Sequence, residues 1–137
     1  MSSIFTKIIQ GEIPSYKIAE DEKYYAFLDI NPLAKGHTLV IPKKETDYIF
    51  NIADKDLADM MVFAKKVAIA IEKVVPCKRV GIAVLGLEVP HAHIHLIPIN
   101  TVYDIDFKQP KLSFTQKEFT SLAKAISKLI KDESTNV

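Results

Sequence analysis

Apolar positions recur with two spacings along the chain, and the switches between them lay out its elements. Ile4, Phe5, Ile8 and Ile9 fall on one helical face, with Ser2 or Ser3 as cap and Gly11 and Pro14 as the stop, so the chain opens on a short helix. Tyr16–Glu20 and Tyr24–Leu28 read as two paired strands turning at Asp21-Glu22. Asn31-Pro32 and Lys35-Gly36 mark a loop, and His37–Ile41 is a third strand ended by Pro42. Leu57, Met60, Met61, Ala64, Val67, Ala68, Ile71 and Val74 keep helical spacing, which predicts a long helix capped by Asp54 and running to about Val75, before Pro76. Val80–Leu85 reads as a continuous apolar strand and His91–Ile97 as a fifth strand, closed by Pro98. Thr115 and Glu118 have the spacing of a capping box, and Phe119, Leu122, Ala123, Ile126, Leu129 and Ile130 line a last helix over 113–131. The polar residues 132–137 are expected to fray. Segregated strands with few helices predict an α+β fold whose five-stranded sheet is mainly antiparallel, with one long central helix.

A length of 137 residues, without repeats or a linker rich in Gly, Ser or Pro, predicts one domain over 1–137. Apolar residues at 48% and a formal net charge of +1 exclude a disordered chain and give no electrostatic case for broad nucleic-acid or membrane binding. No window approaches 18 uninterrupted apolar residues, and no basic segment followed by an apolar run opens the chain. The single cysteine, Cys77, precludes an intrachain disulfide and a Cys-x-x-Cys site, which makes a cytoplasmic location the default expectation.

Three of the four histidines lie in the eight residues His91-Ala92-His93-Ile94-His95-Leu96-Ile97-Pro98. On a strand with a side-chain period of two, His91, His93 and His95 share one face, while Ala92, Ile94 and Leu96 share the other. The fourth, His37, opens another predicted strand. A solvated polar face would usually mix Lys, Glu and Thr, so three imidazoles in register point to chemistry. Two chemistries fit. Neutral imidazoles bind zinc, copper or iron. Alternatively, one imidazole attacks phosphorus while its neighbours hold its tautomer and bind the phosphate.

The stretch His91–Pro98 resembles the signature of the histidine triad (HIT) family. Ile4–Pro14 is similar to that family's opening helix, Phe27-Leu28-Asp29-Ile30-Asn31-Pro32 to its ribose-contacting segment, and Gly36–Lys43 to its third strand. These blocks span about residues 3–98, in the family's order, and are most like its Hint-like and bacterial hydrolase branch. The resemblance implies a HIT-like fold, commonly a homodimer, and metal-independent hydrolysis or transfer at the α-phosphate of purine nucleoside monophosphate conjugates of AMP or GMP, phosphoramidates above all. It implies no cofactor and no metal. By the same resemblance His93 falls on the nucleophile that forms a nucleotidyl-histidine intermediate, and His95 on a phosphate contact. His91 falls on the residue that orients the nucleophile and lies near the leaving group, and His37 on the fourth histidine of the site. Asp29 falls on the carboxylate that accepts hydrogen bonds from the ribose hydroxyls. Ile4, Phe5, Ile8, Phe27 and Ile30 fall on the lining of the base pocket.

The segment before the triad departs from the family pattern. The family's Asn is missing, the loop is short, and Leu87 stands where a Gln is common, followed by Glu88 and Val89. These three residues are the candidates for the leaving-group side. The altered loop keeps alternatives open: a dinucleoside polyphosphate hydrolase, a catalytically weak nucleotide-binding regulatory protein, or a metalloprotein using the triplet as ligands. Residues 100–137 resemble nothing that assigns them a role.

Overall fold

A computed structural model of the chain describes residues 2–135, with side chains through residue 131. The elements run α1 (Ile4–Ile9), β1 (Lys17–Glu20), β2 (Tyr24–Leu28), β3 (Thr38–Pro42), α2 (Asp54–Val74), β4 (Arg79–Ala83), β5 (Ile94–Ile99) and α3 (Gln116–Thr135), with short 3-10 turns at Ile49–Asn51 and Val102–Ile105. The five strands form one sheet in the order β1-β2-β3-β5-β4, and every pairing is antiparallel.

Both faces of this sheet are covered, and strand periodicity decides which residue meets which cover. Tyr24, Ala26, Leu28, Val40, Ile94 and Leu96 pack with Met60, Ala64, Val67 and Ile71 of α2 and with Phe119, Leu122 and Ile126 of α3. The intervening residues Tyr25, Phe27, Leu39 and Ile41 pack under Phe5 and Ile8 of α1. β2 and β3 are consequently buried at every position. The short helix α1 therefore roofs the face opposite α2 and α3, and the histidines emerge on that roofed side.

The helix ends follow local chemistry. Ser3 caps α1, its Oγ accepting the Thr6 N–H at 3.0 Å. The capping box of α3 is complete: Thr115 N–H reaches Glu118 Oε1 and Glu118 N–H reaches Thr115 Oγ1, both at 3.1 Å. Gly36, at φ +93°, turns the chain into β3 where a Cβ would lie 2.9 Å from Val75 Cγ2.

Several boundaries differ from expectation. Ala53, without a side-chain hydrogen bond, holds the cap position of α2; Asp54 is its first helical residue and, with Asp56, opposes the helix dipole instead. β4 stops at Ala83, leaving Val84 and Leu85 in the loop. β3 begins at Thr38, and α3 begins at Gln116 and continues to Thr135. Of the tail expected to fray, residues 132–135 are therefore helical, and Asn136 and Val137 lie outside the described residues. The largest difference concerns the triad: β5 begins at Ile94, so only His95 is a strand residue. Upstream, Ala92 N–H donates to Thr46 O at 2.6 Å and His91 N–H to Val89 O at 2.8 Å, which takes both out of the ladder.

Candidate active site

Under α1 lies a cavity of about 450 Å³ that collects residues from six separate stretches of chain. His37, His93 and His95 line it together with Asp29. Ile4, Phe5, Ile8, Phe27 and Ile30 line it as well. Phe5, Ile8 and Phe27 are buried in its lining, whereas Ile4 and Ile30 are 49% and 64% exposed. Leu87, Glu88 and Val89 complete one wall, and Leu87 is 91% exposed, so it does not tuck into the core.

His91 differs from its two partners. It is fully buried and absent from the cavity lining, because both its nitrogens are engaged behind the site. Its Nε2 lies 2.7 Å from Pro42 O and its Nδ1 2.7 Å from Ser3 Oγ. A carbonyl can only accept, so Nε2 carries the proton and Nδ1 accepts the serine hydroxyl. The ring thereby ties the first turn of α1 to the end of β3. Glu45 backs this joint, accepting Thr6 Oγ1–H at 2.7 Å and the Ser3 N–H. These donors hold the Glu45 carboxyl down, at about 2.

The remaining rings have fixed and opposite tautomers. His93 Nδ1 donates to His91 O at 2.8 Å, so the lone pair sits on Nε2 of a ring that lines the cavity. Phe5 packs edge-on against this ring, with centroids 5.1 Å apart. His37 Nδ1 accepts the Leu33 N–H at 3.0 Å, so its proton sits on Nε2. Nε2 in turn faces His95 Nδ1 at 3.0 Å, which makes that nitrogen an acceptor and leaves the His95 proton on Nε2. The chain Leu33 N–H to His37 to His95 thus presents one ring as an N–H donor, while its neighbour His93, 4.9 Å away between centroids, presents a lone pair.

Burial dominates the ionisation of the site. It lowers His37 to about 3 and His95 to about 4, with the neighbouring imidazoles and Lys111 adding to the effect. His91 is lowered by burial as well, against the opposing pull of the Pro42 carbonyl. At neutral pH these three rings are uncharged, and the 3.6 Å approach of His37 Nε2 to Asp29 Oδ2 is a contact of a neutral ring rather than an ion pair. Burial raises Asp29, while the Asn31 N–H bound to its Oδ1 at 2.8 Å pulls the other way. Among the described residues, Asp29, His37 and His95 offer donor atoms within 4.8 Å of one another and form the group that could hold a metal. The facing His37 and His95 nitrogens already share a proton at 3.0 Å, so an ion bridging them would have to replace that bond.

Two residues in the cavity had no signal in the sequence pattern. Phe107 packs edge-on against His95 at 4.8 Å between centroids, and Lys111 lines the same wall. Both come from the irregular stretch after β5, which only tertiary folding returns to the site.

Comparison with known proteins places this arrangement. The family model for the HIT domain matches residues 10–102. The chain is 38% identical over 134 residues to an adenosine 5'-monophosphoramidase of Schizosaccharomyces pombe, covering 96% of this chain and 100% of that protein. It is 39% identical over 132 residues to an uncharacterized HIT-like protein of Borreliella burgdorferi, covering 90% and 95% of the two chains. Among solved structures, a HIT-like protein from Bartonella henselae matches with a TM-score of 0.80 at 30% identity, over 93% of this chain and 95% of that one. The chain belongs to the HIT family.

Proposed function

We propose that the chain is a HIT-family hydrolase acting at the α-phosphate of purine nucleoside monophosphate conjugates, of the phosphoramidate type, through a nucleotidyl-histidine intermediate on His93. The observation that carries this reading is the pair of opposite tautomers in one cavity: a lone pair on His93 Nε2 beside an N–H on His95 Nε2. Nε2 of His93 attacks phosphorus, and the bond from phosphorus to the leaving group breaks, the amine departing with the bonding electron pair and a proton taken from solvent. Water then attacks the same phosphorus, releasing the nucleotide and returning the imidazole. The His95 N–H donates to a non-bridging phosphate oxygen, and its neutral state suits a donor that must not exchange its proton. His91 acts as a positioning residue: its carbonyl fixes the nucleophile's tautomer, and its ring anchors that carbonyl. His37 fixes the tautomer of His95. Asp29 accepts from the ribose hydroxyls, and Ile4, Phe5, Ile8, Phe27 and Ile30 hold the base. Leu87, Glu88 and Val89 face the leaving group. The similarity to a named adenosine 5'-monophosphoramidase supports the substrate class.

The step needs no metal in this reading. Adenosine 5'-phosphoramidate should release AMP at the same rate with and without EDTA. Activity lost to chelator and restored by zinc would favour the Asp29, His37 and His95 group as a metal site. AMP binding without turnover would return the chain to the regulatory reading.

The proposed assembly is a homodimer. Ile82 of the edge strand β4, with Val84, Leu85, Tyr48, Phe50 and Met61, lines an apolar cleft of about 860 Å³, and all six are exposed in the single chain. A second copy across a two-fold axis would cover it. Light scattering should give twice the chain mass, and a monomer at micromolar concentration would refute the assembly. Among the described residues no helix is long and apolar enough to cross a membrane. The lone cysteine suits a cytoplasmic location.

A further inference from the structure

The stretch between β5 and α3 carries no periodic pattern and lies almost wholly beyond the family match, which ends at residue 102, yet it brings a charge to the cavity. Lys111 folds back over its own loop. Its Nζ donates to Phe107 O at 2.7 Å and to Gln109 O at 3.4 Å, and stands 5.7 Å from the centroid of the Phe107 ring. Phe107 is itself wedged edge-on against His95 and His37, at 4.8 and 6.3 Å between centroids. Leu112 N–H bonds Pro32 O at 2.8 Å, fastening this loop to the segment that carries Asp29. The ammonium is therefore held in place before any ligand arrives. An ammonium has three N–H groups, and two carbonyls leave one of them for a ligand.

The charge balance of the cavity gives that group a task. Its lining holds two carboxylates, Asp29 and Glu88, and burial keeps two of its imidazoles, His37 and His95, uncharged at neutral pH. Lys111 is the one lysine or arginine among the described residues that line it. A nucleotide phosphate entering without Lys111 would meet two like charges and no lysine or arginine among the described lining residues to oppose them.

We propose that Lys111 is a phosphate-binding residue of this site, donating its remaining N–H to a non-bridging oxygen of the substrate's phosphate. The proposal rests on the nucleotide reading above and adds to it: the cavity selects phosphorylated nucleosides over bare ones through a residue outside the histidine triad. Arg can replace Lys in this task, and a neutral side chain of similar length cannot.

Titration calorimetry with AMP and with adenosine tests this on wild type, Lys111→Met, Lys111→Arg and Lys108→Met. Lys108 is exposed on the same loop and does not line the cavity, so it controls for net charge. Lys111→Met should weaken AMP about tenfold or more, since a charge-assisted hydrogen bond is lost. It should leave adenosine within twofold, flatten the salt dependence of AMP binding, and be rescued by Lys111→Arg. Lys108→Met should bind both ligands as wild type does. AMP affinity in Lys111→Met within twofold of wild type would overturn the proposal, and so would equal weakening of AMP and adenosine. An equal loss in Lys108→Met would likewise overturn it. In each of those outcomes wild type still binds AMP and the nucleotide reading survives. Wild type binding neither ligand would overturn both.

Discussion

The chain of bonds from Leu33 through His37 to His95 can be cut at either end, and the two cuts should do different things. Asn at position 37 puts its amide near the place of Nδ1, and Gln puts it near the place of Nε2. His37→Asn therefore keeps an acceptor for the Leu33 N–H, 3.0 Å away in the wild type, and removes the donor to His95 Nδ1. His37→Gln keeps the donor and abandons the buried Leu33 N–H. One neutral hydrogen bond contributes about 0.5–1.5 kcal/mol, and an orphaned buried donor costs about 1–3 kcal/mol. Loss of the donor frees His95 to take either tautomer, so His37→Asn should lower kcat/KM by about 2- to 13-fold at ~1.4 kcal/mol per tenfold. His37→Gln should lose about 1–3 kcal/mol of stability while keeping more of the activity. Both changes also remove ring contacts with Phe107 and His95, so each costs some packing and the comparison between them carries the test. Urea unfolding gives the stabilities, and AMP release from adenosine 5'-phosphoramidate gives the rates. The reverse order, with Asn the more active and Gln the more stable, would refute the assigned tautomers.

Three further outcomes are expected. Unfolding raises His37 and His95 from about 3 and about 4 to the ordinary 6.5, so the unfolded chain binds the extra protons in that window and stability falls as pH falls from 6.5 toward 4. At full slope each ring removes about 1.4 kcal/mol per pH unit, and urea midpoints that stay level from pH 6.5 to 4.5 would contradict the neutral buried rings. Gly36→Ala forces a Cβ into the left-handed region and against Val75, at a cost of about 2 kcal/mol; an unchanged melting temperature would count against that geometry. Leu87→Gln lies on an exposed side chain and should leave stability within about 0.5 kcal/mol, while changing kcat/KM unequally for amine-leaving and phosphate-leaving adenosine substrates; equal changes on both would remove Leu87 from leaving-group choice.

Periodicity exposed α2, the strands and the capping box of α3, because each depends on side chains within a few residues of one another. Asp54 lies one position inside the expected cap, because a carboxylate stabilises the first helical turn as well as the cap position before it. Alternation placed His91 on the cavity face with His93 and His95, but the strand begins at Ile94 because Thr46 O takes the Ala92 N–H. That long-range bond leaves no local trace, and it turns His91 from the cavity to Ser3 and Pro42. His93, His95, His37 and Asp29 were legible by motif and do meet in one cavity. Phe107 and Lys111 were not, because an irregular loop carries no period and its site contacts reach back to His95 in β5 and, much further along the chain, to His37 just before β3.

The proposed mechanism turns on a covalent bond between His93 Nε2 and phosphorus. Wild type and His93→Ala can be mixed with an adenosine phosphoramidate labelled at its phosphate, then quenched in alkaline denaturant, which preserves a phosphorus–nitrogen bond. Wild type should carry label on the peptide containing His93 during turnover. His93→Ala should carry none and should lose several kcal/mol of transition-state stabilisation. Label retained on the His93→Ala protein, or turnover by that variant near the wild-type rate, would contradict the claim.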